Sequence, residues 1–260
     1  MAEFAVPPPP AGACYVYGVV LSRAELPAGA RGVGDPGGEV SLRRHAEVAA
    51  VVSGLPAGGA LGTRRDLLRH SAILDGIARS APVLPMRFGA VLPDAEAVVD
   101  ELLGPNHARF AEALAALEGQ AQFTVKARYV ESVVLREVLV EEPDIAGLRD
   151  ALRDRSAGAG YEERIRLGEL VAQAVARRRD ADAAALVDEL APYARLVTWA
   201  PSRVEDGVVD AALLVDRAVW SALERAVEGI AQHRAGRLRL RLLGPLAPYD
   251  FSSELMMEGG

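Results

Sequence analysis

From Phe123 to the C-terminus the apolar residues change period in an order that few folds can satisfy. Phe123, Val125, Ala127 and Tyr129 alternate with Thr124, Lys126 and Arg128, which is the two-residue period of a strand with one buried face. A short helix is expected from about residue 143 and a long one over residues 161–190, where Ile165, Ala172, Val175, Leu186 and Leu190 share one stripe at about 100° per residue. Residues 195–199 and 208–215 read as strands joined by a turn containing Pro201 and Gly207. Asp216 is placed to cap a helix with Val219, Leu223, Ala226 and Ile230 on its inner face, and residues 237–242 (RLRLRL) alternate as a last strand. The order β-α-β-β-α-β predicts a ferredoxin-like plait with an enlarged helical first crossover.

The first half is a second α+β unit. After a proline- and alanine-rich stretch expected to be disordered (residues 1–13), CYVYGVVL (residues 14–21) reads as a buried strand. Residues 29–38, rich in glycine, are expected to form a mobile loop, followed by strands near 39–42 and 47–52. Thr63 can cap a helix to about residue 80, with Leu67, Ile73, Leu74 and Ile77 inward and Pro82 stopping it. An apolar segment, 83–92, precedes helices expected over 94–103 and 105–117 with Gly104 between them. These readings divide the chain into domains at 14–118 and 119–251, with a flexible tail at 252–260.

At 260 residues a single core is near its useful limit, which favours two domains. A net charge of −7 argues against nucleic-acid and acidic-membrane binding. Cys14 stands alone, so intramolecular disulfides and cysteine-rich metal sites are excluded by counting. Neither a secretion signal nor a long apolar run is evident, and the expected location is cytoplasmic.

No motif points to catalysis. Gly32, Gly34 and Gly37 match the spacing of a dinucleotide loop without its strand and helix, and Gly58, Gly59, Gly62 and Thr63 lack the lysine of a phosphate loop. His45, His70, His107 and His233 are scattered, and Asp66 with His70, beside Arg64, Arg65 and Arg69, reads as a solvated surface network rather than a metal site. Cys14 lies in an apolar strand and reads as core. The chain is therefore expected to be no enzyme and to hold no cofactor, metal or small-molecule substrate. A small-molecule sensor or enzyme using a ferredoxin-like cleft is the alternative.

The closing Gly-Pro-Leu-Ala-Pro-Tyr-Asp-Phe (residues 244–251) resembles the end of gas vesicle proteins F and L. In matching order stand Tyr15-Val16-Tyr17-Gly18-Val19, Pro85-Met86-Arg87-Phe88-Gly89, Val125-Lys126, residues 158–161 and Ala211-Ala212-Leu213-Leu214-Val215. The resemblance implies two α+β domains, a modified ferredoxin-like one followed by a ferredoxin-like one with extra helix. It also implies an accessory role in gas vesicle assembly, through contact with the shell protein or other gas vesicle proteins, and carries no catalytic residues.

Two features could serve such a partner. Arg87 is a lone charge in an apolar segment, and is expected to be tied to carboxylates or carbonyls or to anchor a partner. Arg237, Arg239 and Arg241 share one face of the last strand, and a ferredoxin-like sheet would set Lys126 and Arg128 beside them as a basic strip for an acidic partner.

Overall fold

The computed structural model describes residues 12–56, 61–153, 160–202 and 204–257. Residues 1–11 of the lead-in, Gly58, Gly59, Gly158 and the last three residues lie outside that set. The fold is α+β with two sheets, and the chain forms two compact units. One comprises Met1–Phe123, Leu214–Arg217 and Gly244–Gly260, the other Thr124–Leu213 and Ala218–Leu243.

In the first unit β1 (Cys14–Leu21) is buried along nearly its whole length, because it is apolar on both faces and therefore central. It pairs antiparallel with β3 (Val48–Gly54) on one side, and β3 pairs with β2 (Val40–His45). Helix α1 (Arg64–Ala78) starts at Thr63 in a capping box with Asp66. Ile73, Leu74 and Ile77 face the core, whereas Leu67, expected beside them, is 49% exposed. The inward positions of the first turns belong to Asp66 and His70 instead, and Leu67 lies about 100° around the helix from Asp66. Strands β4 (Val83–Pro85) and β5 (Val91–Leu92) pair with β1.

Helix α2 (Ala95–Ala97) runs through a π-helical stretch, Val98–Leu103, into α3 (Gly104–Ala116) without a break. Gly104, expected to separate two helices, has helical angles and donates its N–H to Val99. The π turn absorbs the irregularity that a break would have relieved.

The second unit begins in β6 (Gln120–Tyr129), whose burial alternates as its sequence does. Helix α4 (Glu131–Glu141) was not evident in the sequence, since its valine-rich run shows no clean stripe and only Val134 and Val138 are buried. Next come α5 (Pro143–Arg153), α6 (Tyr161–Leu190), β7 (Leu196–Pro201), β8 (Gly207–Asp216), α7 (Trp220–His233) and β9 (Leu238–Leu246). The sheet order is β7-β8-β6-β9. Asp216 does not cap α7, which starts after a 3-10 turn with Val219 at its N-cap and no side-chain cap. On α6 the expected stripe is buried at Leu186 and Leu190, but Ile165 is 47% exposed and Ala172 is exposed as well.

The chain closes on the first unit, where Asp75 accepts a hydrogen bond from the Ala247 amide and Gln122 exchanges two with Asp250. Gly244 packs on the Phe123 ring so closely that a Cβ there would come within 2.4 Å of it. Residues 244–251 thus belong with the first unit and not with the domain expected over 119–251, because first-unit side chains supply their bonds. Ser252–Met257, expected as flexible tail, forms helix α8.

Candidate partner-binding surfaces

The basic residues singled out from sequence do not all share one surface. Lys126 and Arg128 lie on the less buried face of β6, and Arg128 approaches Asp206 at 3.7 Å. Arg239 and Arg241 are exposed on β9, which neighbours β6. Arg239 also lines a shallow depression with Glu131, Glu205 and Asp206, so acids partly neutralise the strip at that end.

Arg237 is a correction to the expected strip. It precedes β9, and its guanidinium contacts Glu137 of α4 at 3.0 Å and Asp182 of α6 at 2.8 Å, 5.6 Å from the centre of the Tyr129 ring. Tyr129 donates to the same Asp182 at 2.5 Å. Hydrogen bonding to Asp182 and Glu137 holds Arg237 firmly protonated. Burial alone would raise the Asp182 carboxyl, but bonds from Arg237 and Tyr129 bring it below its ordinary value. Strand periodicity alone placed Arg237 with Arg239 and Arg241; the acids on two helices claim it instead.

Arg87 is exposed, and no hydrogen bond or ion pair ties it to another described residue. The expected internal carboxylate or carbonyl partner is therefore not found. Arg87 stands beside a shallow groove lined by Met86, Phe88, Ser252 and Met256.

The largest departure from the sequence reading lies in the first unit. Asp66 and His70, expected in a solvated network, are each 3% exposed. Asp66 accepts bonds from the Gly34 amide, the Thr63 amide and the Thr63 hydroxyl. Arg69 donates to the carbonyls of Gly32 and Gly34, and the Val33 amide donates to the Tyr17 hydroxyl, which also bonds Ser53. The glycine-rich loop is therefore pinned over α1, not free. Gly32 is needed in this packing, because a Cβ there would lie 2.4 Å from the Ser53 hydroxyl oxygen. The spacing Thr63-x-x-Asp66 was the one sequence signal for the bond network.

His70 sits among aromatic rings. Tyr17 stacks on it, while Tyr15, Phe88 and Tyr249 pack at 5.6–6.1 Å between centroids. The Tyr15 hydroxyl accepts a bond from the Gly89 amide and is hydrogen-bonded to His70 Nδ1 at 2.9 Å, while His70 Nε2 is buried without a hydrogen-bond partner among the described residues. Burial pushes the His70 pKa down, and the Met86 backbone opposes this only in part.

A pH dependence follows. The folded state disfavours protonated His70, so the unfolded chain binds more protons as pH falls past the ordinary histidine value of about 6.5. Stability should decline from pH 7.5 to 5.5, and His70→Phe should flatten that decline in denaturant titrations. Burial raises the Asp75 carboxyl, which acts with the opposite sign; an unchanged slope in the variant would assign the dependence elsewhere.

His45 and His107 are also less isolated than their spacing suggested, with rings 5.6 Å apart and His107 Nε2 at 2.8 Å from Glu47. Among the described residues no cluster of three His, Cys, Asp or Glu side chains is placed to hold a metal ion, and no helix is long and apolar enough to cross a membrane.

The profile of the gas vesicle synthesis protein GvpL/GvpF family matches residues 13–253. The chain belongs to this family. Gas vesicle protein F of Streptomyces sp. (strain CB03234) is 36% identical over 91% of this chain and 98% of its own length. Gas vesicle protein L of the same strain is 31% identical over 92% of each. The crystal structure of GvpF from Anabaena sp. PCC7120 superposes with a TM-score of 0.77 at 26% identity, covering 93% of this chain and 98% of that one. GvpF from Microcystis aeruginosa gives 0.71 at the same identity.

Three of the segments that carried the GvpL/GvpF resemblance meet around His70: Tyr15 and Tyr17, Phe88 and Gly89, and Tyr249. Of these, Tyr15 and Tyr17 are core residues of the first unit, Phe88 is partly buried against them, and Tyr249 is 37% exposed.

Proposed function

We propose that this chain is a cytoplasmic accessory protein of gas vesicle assembly, which binds the shell protein or other gas vesicle proteins and either supports nucleation or keeps shell protein from aggregating. The family match across residues 13–253 carries this reading. A scaffold role without catalysis agrees with the use of Tyr15, Tyr17, Asp66 and His70 in packing and hydrogen bonding. The order β7-β8-β6-β9 supports a ferredoxin-like second domain, since it sets the first and last strands of the βαββαβ series side by side.

For docking, the basic strip reduces to Lys126, Arg128, Arg239 and Arg241, because Arg237 is engaged internally. Arg87 offers a separate exposed cation. An acidic partner steered by the strip should lose affinity with salt, since exposed charges are screened over about 8 Å at physiological ionic strength. Replacing Arg239 and Arg241 by glutamate should weaken co-purification with gas vesicle proteins at low salt while leaving the fold intact, as exposed substitutions usually change stability by no more than about 0.5 kcal/mol each. Equal, salt-insensitive capture by both proteins would exclude the strip, and no gas vesicle protein captured by wild type would refute the accessory role.

A further inference from the structure

Helix α6 carries one apolar stripe along its length, and only half of it is covered. Ala183, Leu186 and Leu190 are buried near its C-terminal end, whereas Tyr161 and Ile165 are 70% and 47% exposed near its start. Gly168, Ala172 and Ala176 are exposed too. All eight lie within a sector of about 80° around the helix, so the same face that is core at one end is bare at the other.

Beside the bare half is a groove of about 430 Å³, with Val134 and Leu135 of α4 on one side and Val171 and Val175 of α6 on the other. Arg179 also lines it, with Nε buried and lacking a hydrogen-bond partner among the described residues. An apolar face bared next to an apolar groove is the form of an interaction site rather than of an ordinary solvated helix.

Shape and charge together select the occupant. Gly168, Ala172 and Ala176 recur every four residues and keep the α6 surface low, which lets a second helix approach closely. The bare stretch, Tyr161 to Arg179, is about 27 Å long, or five helical turns. One flank is occupied by α4, to which Arg178 is tied through Glu137 and Glu141. On the opposite flank stand Glu162, Glu169 and Asp180, all exposed and without an ion pair to any described residue. Glu131 adds a further acid at the groove.

We propose that the bare half of the α6 stripe, with its groove, docks an amphipathic helix of a partner protein whose apolar face is bordered by lysine or arginine. A second copy of this chain fits less well, because antiparallel pairing of two α6 helices sets acidic flank against acidic flank. The proposal rests on the accessory-protein reading for the existence of a protein partner.

The test uses designed peptides and the full chain, so that its failure leaves the gas vesicle reading to its own co-purification experiment. Two fluorescent helical peptides of about 18 residues, matched to the bare length at 1.5 Å per residue, share a leucine face and carry either lysine or glutamate flanks. Anisotropy titration should show the lysine-flanked peptide binding at least about tenfold more tightly, a difference of about 1.4 kcal/mol. Ala172→Arg, at an exposed position, should abolish that binding, and Glu169→Lys should shift preference toward the glutamate-flanked peptide. Circular dichroism should show both variants folded. Binding that ignores flank charge, or that survives Ala172→Arg, overturns the proposal. Sedimentation showing a wild-type dimer that Ala172→Arg dissociates also overturns it, in favour of self-association.

Discussion

Removing residues 244–260 is expected to unfold the first unit rather than trim it. Ala247, Phe251 and Leu255 are 0%, 1% and 3% exposed. The same segment carries the Ala247 bond to Asp75, the Asp250 bonds to Gln122 and the Tyr249 ring beside His70. Truncating one buried phenylalanine costs about 3–5 kcal/mol and one buried leucine about 2–5, against a net stability of about 5–15 for a whole domain. Near-UV circular dichroism and urea unfolding should show loss of tertiary structure in the truncated chain. Phe251→Ala provides the graded version, expected to lose about 3–5 kcal/mol while still folding. An unchanged melting temperature on truncation would make the segment dispensable for the fold, despite its burial.

Asp66→Ala is the second large effect, near 3 kcal/mol or more. The carboxylate joins the start of α1 to the glycine-rich loop, and its loss leaves the Gly34 and Thr63 amides without their acceptor. Hydrogen bonds to a charged group contribute about 1.5–3 kcal/mol each, and a lost helix cap costs about 1. Asp66→Asn retains one acceptor oxygen and should fall between wild type and alanine. Urea denaturation of the three proteins measures this, and an alanine variant within 1 kcal/mol of wild type, to about the precision of such extrapolations, would show that water replaces the carboxylate.

Acid supplies an independent check. Burial by itself would raise the Asp66 carboxyl, yet the Gly34, Thr63 and Gly62 bonds hold it below its ordinary value. Its contribution is therefore present above the unfolded carboxylate pKa of about 3.9 and is lost as pH falls through the lower folded one. Asp66→Asn should remove that part of the acid transition.

Local periodicity determined much of the architecture. Strand β1, helix α6 and the alternation of β6 fall where their patterns put them, because side-chain direction repeats every two residues in a strand and every 3.6 in a helix. The Thr63 cap of α1 was legible for the same reason, since its atoms come from one turn, whereas the reciprocal bond from Asp66 was not read. The family resemblance was readable as well, because its motifs stand in order along the chain.

What the chain order could not decide is which part of an apolar or charged face another segment covers. Leu67 and Ile165 are in helices as expected, yet they are exposed, while Asp66 and His70 are buried because a loop some thirty residues earlier and Tyr249 near the C-terminus close over them. Arg237 has the strand parity of Arg239 and Arg241, but Glu137 and Asp182, distant in sequence, bind it. Residues 247–251 follow the last strand of the second sheet, yet Ala247 and Asp250 bond to Asp75 and Gln122. Sequence by itself determined the family and most of the elements, α4 and α8 excepted, because those depend on neighbours along the chain. Burial, ion pairing and the bare half of α6 were decided only by tertiary structure, because they depend on which distant groups arrive to exclude water.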